Sequence, residues 1–178
     1  MEAVMKALYK TIGKKDDSEQ SRQEEKRWGI LGLLHDGDYE VTKDDWSKHT
    51  LLMIDWLKEL GEGDEELFKA LRSHNYAHTG HNLPAGEAGP PDTLMEWSLY
   101  CCDELTGLIV AVSLVRPDKK LASVEVDSVL KKFPQKEFAR GVKREDIELC
   151  EEKLGIPLRE FVEINLEAMK NIAGELGL

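Results

Sequence analysis

Apolar residues recur at helical spacing along most of the chain, and no segment sustains the alternation that predicts a β-strand. Capping residues precede these periodic segments, and glycine or proline follows them. The predicted helices span residues 2–12, 21–35, 44 or 45 to 60, 64–73, 92–115, 124–133, 144–154 and 157–176. The pattern therefore predicts an all-α fold, a bundle of about seven to eight helices.

A chain of 178 residues can bury one core without disulfides, which favours a single domain. We expect residues 1–178 to form one unit. In it, 1–115 form the helical core around the candidate site, and 116–178 form a helical extension packed on that core. Its longest apolar stretch, Leu94 to Val115, contains three carboxylates. It therefore predicts a central buried helix rather than a membrane span.

The charge of the chain narrows the range of partners. With 24 basic and 35 acidic residues the formal net charge is −11, which argues against nucleic acid or an anionic membrane as the main partner. A small phosphorylated molecule fits if metal or local cations hold its site positive. The three cysteines lack zinc-site spacing, and the first residues lack a signal-peptide pattern. Both observations favour a cytoplasmic location.

The first candidate for chemistry is the segment Leu33–Glu40, where an apolar helical run ends on His35 and Asp36 and breaks at Gly37. Adjacent His and Asp residues offer an imidazole nitrogen and a carboxylate oxygen to one metal ion. The alternative is an ordinary solvated helix end followed by a turn.

Asp103 is the second candidate, because its predicted helix is apolar on most faces. A buried carboxylate costs several kcal/mol unless it is paired or bound to a cation. An ion pair with Lys or Arg, or a wet helix edge beside Glu104, would also explain it. Together with His35 and Asp36, the metal-ligand interpretation is favoured. His49, at the start of the third helix, and His74, at the end of the fourth, are further candidates or simply satisfied histidines.

The order His35-Asp36, His49, His74 and Asp103 in a helical chain resembles the HD-domain superfamily of metal-dependent phosphohydrolases, in particular its small stand-alone members. The similarity covers most of the chain. The segments that carry it are Leu33–Glu40, Asp103–Ile109, Ser113–Pro117, Phe138–Val142 and Leu154–Leu158.

The resemblance implies that His35, Asp36 and Asp103 hold one divalent metal, and that Asp36 bridges to a second. His49 and His74, with His78 or His81, would bind that second ion. Water activated by the metal would attack phosphorus. Mixed imidazole and carboxylate ligands suit iron, manganese, nickel, cobalt or zinc.

Asp38 is a further catalytic candidate that would orient the water or a ligand histidine. The alternative is that Asp38 only forms the turn. Cations that would bind the substrate phosphate are Lys43, Arg116, Lys119 and Arg140, each of which is otherwise a solvated charge.

One departure from the family pattern concerns its first histidine, because no His precedes His35 in this chain. The segment Glu2–Leu8 resembles the residues that normally follow that histidine. Either the start of the protein lies upstream, or this member lacks the ligand. We therefore expect a metal-dependent phosphohydrolase acting on a nucleotide or other small phosphate ester. The alternative is a degenerate HD domain that binds a nucleotide or partner protein without catalysis.

Overall fold

The computed structural model describes residues 1–13, 16–79 and 89–178, with the backbone alone for 77–79. All regular structure in these ranges is helical, so the prediction of an all-α fold is confirmed. Two 3₁₀ turns, Trp46–Lys48 and Leu121–Ser123, accompany the helices. The helices are α1 Glu2–Ile12, α2 Glu19–Leu34, α3 Tyr39–Thr42, α4 Leu51–Glu59, α5 Glu65–Thr79, α6 Leu94–Leu114, α7 Val126–Lys132, α8 Arg144–Leu154, α9 Leu158–Asn171 and α10 Ala173–Leu176.

Helix α6 is the centre of the core, with α1, α5, α7, α8 and α9 packed around it. Leu105, Leu108 and Ile109 are fully buried on it, which explains why this helix is apolar on most faces. By length and composition α6 would also pass for a membrane span, a weak indication because the core helix of a soluble protein has the same properties. Helices α8 and α9 pack on α6, and α9 also contacts α1.

Two helix starts differ from the predicted positions because a neighbouring residue is the better cap. Ser18, rather than Ser21, caps α2, and its hydroxyl accepts a hydrogen bond from Ser21 N at 3.0 Å. Thr93, rather than Asp92, caps α6 in a reciprocal capping box with Glu96.

Three predicted helices also differ from the structure in extent or continuity. The third is not continuous, because the chain breaks after the 3₁₀ turn at Thr50, whose φ of 66° is left-handed. The fourth runs past Ser73 to Thr79, so residues 75–79 are helical rather than loop. The final helix is interrupted at Ile172 before the short α10.

Helices α1 and α2 approach closely at Gly32, one turn before His35. A Cβ at this position would lie 2.8 Å from Met5 Cγ and 3.0 Å from the backbone of Met1. Because glycine removes that clash, the N-terminal end of α1 can pack against the end of α2 that carries the candidate site.

Candidate metal centre

His35 follows the last residue of α2, with its ring turned back onto its own helix. Its Nδ1 lies 2.8 Å from Gly32 O. Since a carbonyl oxygen only accepts, Nδ1 carries the proton in the neutral ring and Nε2 presents a lone pair. The following turn packs tightly on α4, because a Cβ at Gly37 would lie 2.6 Å from Met53 Sδ. This turn directs Asp36 to the same side as His35 Nε2.

Asp36 is the centre of the cluster, and its side chain is half exposed at 48%. Its Oδ2 lies 3.6 Å from His35 Nε2, whereas its Oδ1 lies 3.4 Å from His49 Nε2 and 3.3 Å from His74 Nε2. The two oxygens of one carboxylate therefore face different imidazoles. Within the described residues, one ligand atom each from His35, Asp36 and His74 lie within 4.8 Å of one another, so these three could hold a metal ion.

Asp103 reaches the same cluster from the middle of α6. Its Oδ1 lies 3.4 Å from His35 Nε2, and its side chain is 25% exposed. In the ranges that the structure describes, no lysine or arginine forms a salt bridge with Asp36 or Asp103. The alternative that an Arg or Lys neutralises Asp103 therefore finds no support, and histidines are the paired groups.

His49 is held from two sides in the break between the 3₁₀ turn and α4. Its Nδ1 lies 2.8 Å from Asp38 Oδ1, and its backbone carbonyl accepts a hydrogen bond from Asn75 Nδ2 at 2.6 Å. Because a carboxylate accepts, Nδ1 carries the proton and the Nε2 lone pair is directed towards Asp36. The left-handed backbone of Thr50, strained for a β-branched residue, turns His49 inwards.

Asp38 is fully buried, and both of its oxygens are engaged. Besides His49, it accepts a hydrogen bond from Met53 N at 3.0 Å, in the first turn of α4. A carboxylate at this position also suits the positive end of the helix dipole. Of the roles predicted for Asp38, its contacts favour orienting a histidine over orienting water.

His74 lies inside α5 rather than at its end, and it is 2% exposed. Its ring centroid is 5.0 Å from that of His35 and 5.4 Å from that of His49, so His74 is next to both. The predictions for the His78 side chain and for His81 concern groups outside the described residues.

The pKa values of the cluster residues depend on their burial and on the charges of their neighbours. Burial lowers the pKa of His35, but the hydrogen bond to Asp103 and the charge of Asp36 outweigh it and raise that pKa above 6.5. For Asp36, the neighbouring imidazoles outweigh burial and lower the pKa well below 3.8. For Asp103, burial is likewise outweighed by His35, and the pKa is lowered. Burial lowers the pKa of His74, which disfavours its protonated form.

In the described structure, no hydrogen bond or ion pair links the cations predicted to bind phosphate to the residues of this cluster. Lys43 is exposed and pairs with Glu40 at 2.8 Å, while Arg140 is exposed in the loop before α8. Helix α6 continues eleven residues beyond Asp103, a rise of roughly 16 Å. Arg116 and Lys119 follow that far end, and Arg116 Nε donates to Ser123 Oγ at 3.2 Å.

Three residues carry no sequence signal of their roles, two of them beside the cluster and one at the start of α8. Asn75 anchors the His49 backbone, and Trp46 packs edge-on against the His49 ring with centroids 5.4 Å apart. Trp46 is 37% exposed beside the cluster. Arg144 donates to carbonyls of Phe133, Gln135, Phe138, Ala139 and Val142, and so folds the loop that contains Arg140.

Comparison of the chain with family models, with curated proteins and with solved structures found no match. The function of the cluster is therefore inferred from its own geometry and from the sequence resemblance.

Proposed function

We propose that the chain is an HD-like, metal-dependent phosphohydrolase acting on a nucleotide or other small phosphate ester. His35, Asp36, His49, His74 and Asp103 would hold one or two divalent transition-metal ions. The observation that carries the proposal is the position of Asp36, whose carboxylate lies between imidazoles from separate parts of the chain and stays half exposed. A solvent-exposed carboxylate beside buried imidazoles is the arrangement that an accessible catalytic metal requires.

The donor set fits a divalent metal. Asp36 and Asp103 bring negative charge to one place, and in the described structure only histidines pair with them. A bound divalent cation would balance the negative charge of these carboxylates. Oxygen and nitrogen donors together favour iron, manganese, nickel, cobalt or zinc over calcium.

The two oxygens of Asp36 suggest two adjacent subsites. One subsite would comprise His35, Asp103 and Asp36 Oδ2, and the other would comprise His49, His74 and Asp36 Oδ1. Carboxylates bridge metal pairs about 3.5–4 Å apart in many phosphoryl-transfer enzymes. Asp36 would then be the shared ligand, and its removal would affect both subsites.

Metal bound here would lower the pKa of a water molecule and stabilise charge on the phosphoryl oxygens. Other groups of the chain orient the histidine ligands. Gly32 O fixes the His35 ring and Asp38 fixes the His49 ring, and both rings direct Nε2 towards Asp36. The Asp36 side chain is 48% exposed, so a ligand in solution can reach it.

A second candidate, a degenerate HD domain that binds without turnover, is favoured by one observation. Met1 lies beside Gly32 and accepts a weak hydrogen bond from Thr106 at 3.5 Å. Gly32 is three residues before His35, and Thr106 is three residues after Asp103 in α6. Among the described contacts, α1 therefore brings a thioether to the neighbourhood of the His35–Asp103 subsite.

Metal analysis of purified protein tests the proposal. We expect about one to two equivalents of transition metal per chain, reduced by Asp36→Ala and Asp103→Ala but retained by Asp55→Ala, a control at an exposed position of α4. We also expect hydrolysis of members of a phosphomonoester and nucleotide panel with added manganese, nickel or cobalt. Protein that binds no metal and hydrolyses nothing would remove the enzyme proposal. Metal binding without hydrolysis would support the degenerate domain.

The same proposal implies a small phosphorylated partner and a cytoplasmic setting. Cys101, Cys102 and Cys150 are all buried free thiols, and burial raises the pKa of each. Such thiols are inert packing groups, compatible with a reducing compartment.

A further inference from the structure

An exposed aromatic pair borders the cluster on its His49 side. Tyr39 and Trp46 have ring centroids 5.7 Å apart at an interplanar angle of 58°, and they are 38% and 37% exposed. Large aromatic side chains that serve only to pack are normally buried further than this. Val41, in the same short helix as Tyr39, is 68% exposed, and the other exposed residues around the pair include the ion pairs Lys43–Glu40 and Lys48–Asp45.

The position of Trp46 relative to the cluster is the decisive feature. Its indole packs against the His49 imidazole at a centroid distance of 5.4 Å, and His49 Nε2 lies 3.4 Å from Asp36 Oδ1. The indole therefore contacts one proposed metal ligand directly, and the imidazole of that ligand lies between the indole and Asp36. In a nucleoside 5′-monophosphate, one ribose ring likewise separates the phosphate from the base.

We propose that Trp46 and Tyr39 form a stacking platform for the base of a nucleoside 5′-monophosphate whose phosphate lies at the Asp36 cluster. This inference rests on the proposed function and narrows its substrate class. A planar base can stack on one of the tilted rings and meet the other edge-to-face. Stacking requires only a π-face, so the platform selects for the presence of a base rather than for its identity.

The platform also distinguishes nucleotides from other phosphate esters. Ribose 5-phosphate has no ring to stack, and phenyl phosphate carries its ring directly on the phosphate, too near to reach beyond His49. Both compounds retain the phosphate that the cluster would bind. Ribose 5-phosphate therefore tests the loss of the base, and phenyl phosphate tests an aromatic ring that lacks the ribose spacer.

Isothermal titration calorimetry with the four common nucleoside 5′-monophosphates, ribose 5-phosphate and phenyl phosphate tests the platform. We expect the nucleotides to bind more tightly than either other ligand. Trp46→Ala should reduce the ratio of nucleotide to ribose 5-phosphate affinity by about 5- to 100-fold. Tyr39→Ala should reduce the same ratio by less, and Trp46→Phe should restore most of it. Trp97→Phe, which alters a tryptophan packed on Tyr100 of α6, is the control.

Two further measurements separate stacking from support of His49. Metal content is measured for each variant, and Tyr39→Ala is informative because the ring contacts of Tyr39 involve Trp46 rather than His49. If Trp46→Ala and Tyr39→Ala each weaken the binding of nucleotides and of ribose 5-phosphate by the same factor, the platform is refuted. Equal affinity of the unmodified protein for nucleotides and ribose 5-phosphate would refute it as well.

The phosphate-free nucleosides adenosine and cytidine, titrated in EDTA, distinguish failure of this inference from failure of the proposed function. Quenching of tryptophan fluorescence that Trp46→Phe removes and Trp97→Phe retains would support the platform even if the protein neither bound metal nor hydrolysed any ester. Metal-dependent hydrolysis with base-independent affinity would overturn the platform and leave the phosphohydrolase proposal intact.

Discussion

The cluster around Asp36 and the packed helices α8 and α9 differ in what determines their structure. In α8 the buried residues are mainly Ile147, Cys150 and Leu154, at helical spacing, and Gly155 ends the helix with a left-handed φ of 67°. Around Asp36, helix α2 ends, the short helix α3 and a 3₁₀ turn follow, and the backbone becomes left-handed at Thr50 before α4 begins. Local rules of periodicity and capping are sufficient for the first region, whereas contacts between distant polar groups determine the second.

The same contrast extends to energetics. Packing of α6, α8 and α9 removes apolar surface from water, which stabilises the fold with little dependence on pH or ligands. The cluster gathers Asp36, Asp103 and three imidazoles in partly buried surroundings, which is unfavourable without compensating charge. Sites whose local structure is costly to maintain are commonly functional. Substitutions in the two regions should therefore have separable effects on unfolding and on metal binding.

The largest effect on stability is expected from Leu108→Ala, in the centre of α6. Leu108 is fully buried, so the substitution leaves a cavity and should lower the free energy of unfolding by about 2–5 kcal/mol. Leu114→Ala, at a position 50% exposed on the same helix, should change it by less than about 0.5 kcal/mol. Urea denaturation of metal-free protein measures both. Similar values for the two variants would contradict the assignment of α6 as the core helix.

The Asp38→Asn substitution should instead act mainly on metal affinity. The amide keeps the volume of Asp38 but weakens its hold on His49 Nδ1, so metal affinity should fall by about 10- to 100-fold. Asp55→Asn, on the exposed side of α4, is the matched control and should leave metal affinity unchanged. Competition with a chromogenic chelator gives both affinities. Unaltered affinity in Asp38→Asn would show that His49 needs no such partner.

The Arg144→Ala substitution tests what holds the loop between α7 and α8 together. For this loop, one side chain performs a structural role that apolar packing performs elsewhere. Loss of the guanidinium leaves several loop carbonyls without their donor, and we expect a loss of about 2 kcal/mol in unfolding free energy. Arg159→Ala, which removes an exposed pair with Asp127, should cost less than about 1 kcal/mol. Thermal or urea unfolding compares them, and equal losses would argue against a special role for Arg144.

The smallest expected effect is a pH dependence with opposite signs for two histidines of the metal-free cluster. The pKa of His35 is raised, so its contribution to stability is present below 6.5 and is lost as the pH rises through the raised value. The pKa of His74 is lowered by burial, so the unfolded chain binds the proton more readily and stability falls as the pH drops through 6.5.

Melting temperatures in EDTA at about pH 5 and about pH 8 would reveal these signs. The loss caused by His35→Asn should be greater at the lower pH. The change caused by His74→Asn should shift towards stabilisation at the lower pH, because the penalty for keeping His74 neutral is removed. Slopes of the same sign in both variants would contradict the proposed environments.

The sequence predicted more of the packed region than of the cluster. The bounds of α8 were predicted as 144–154 and found at Arg144–Leu154, and α6 was predicted to end near Val115 and ends at Leu114. The error at the third predicted helix has a definite cause. Its apolar periodicity runs through His49 and Thr50, but Asp38 and Asn75 hold His49 in a conformation that a helix does not allow.

The candidate site was predicted only in part. His35, Asp36 and Asp103 could be singled out together, because adjacent His and Asp residues can share a metal ion and a buried carboxylate needs a partner, whereas the roles of His49 and His74 followed from the family resemblance. Nothing in the sequence indicated that Trp46 would cover His49 or that Arg144 would gather loop carbonyls. Those roles depend on which surfaces face each other after folding.

The sequence by itself determined the helical class, the central position of α6 and the residue types available for a metal. These properties follow from periodicity and from the cost of burying charge, both of which are local. The family resemblance implied that Asp36 would lie between His35 on one side and His49 and His74 on the other, and only the tertiary structure decided the distances between these groups. Distances between residues far apart in the chain are set by how helices pack and where they break, and no spacing along the sequence encodes them.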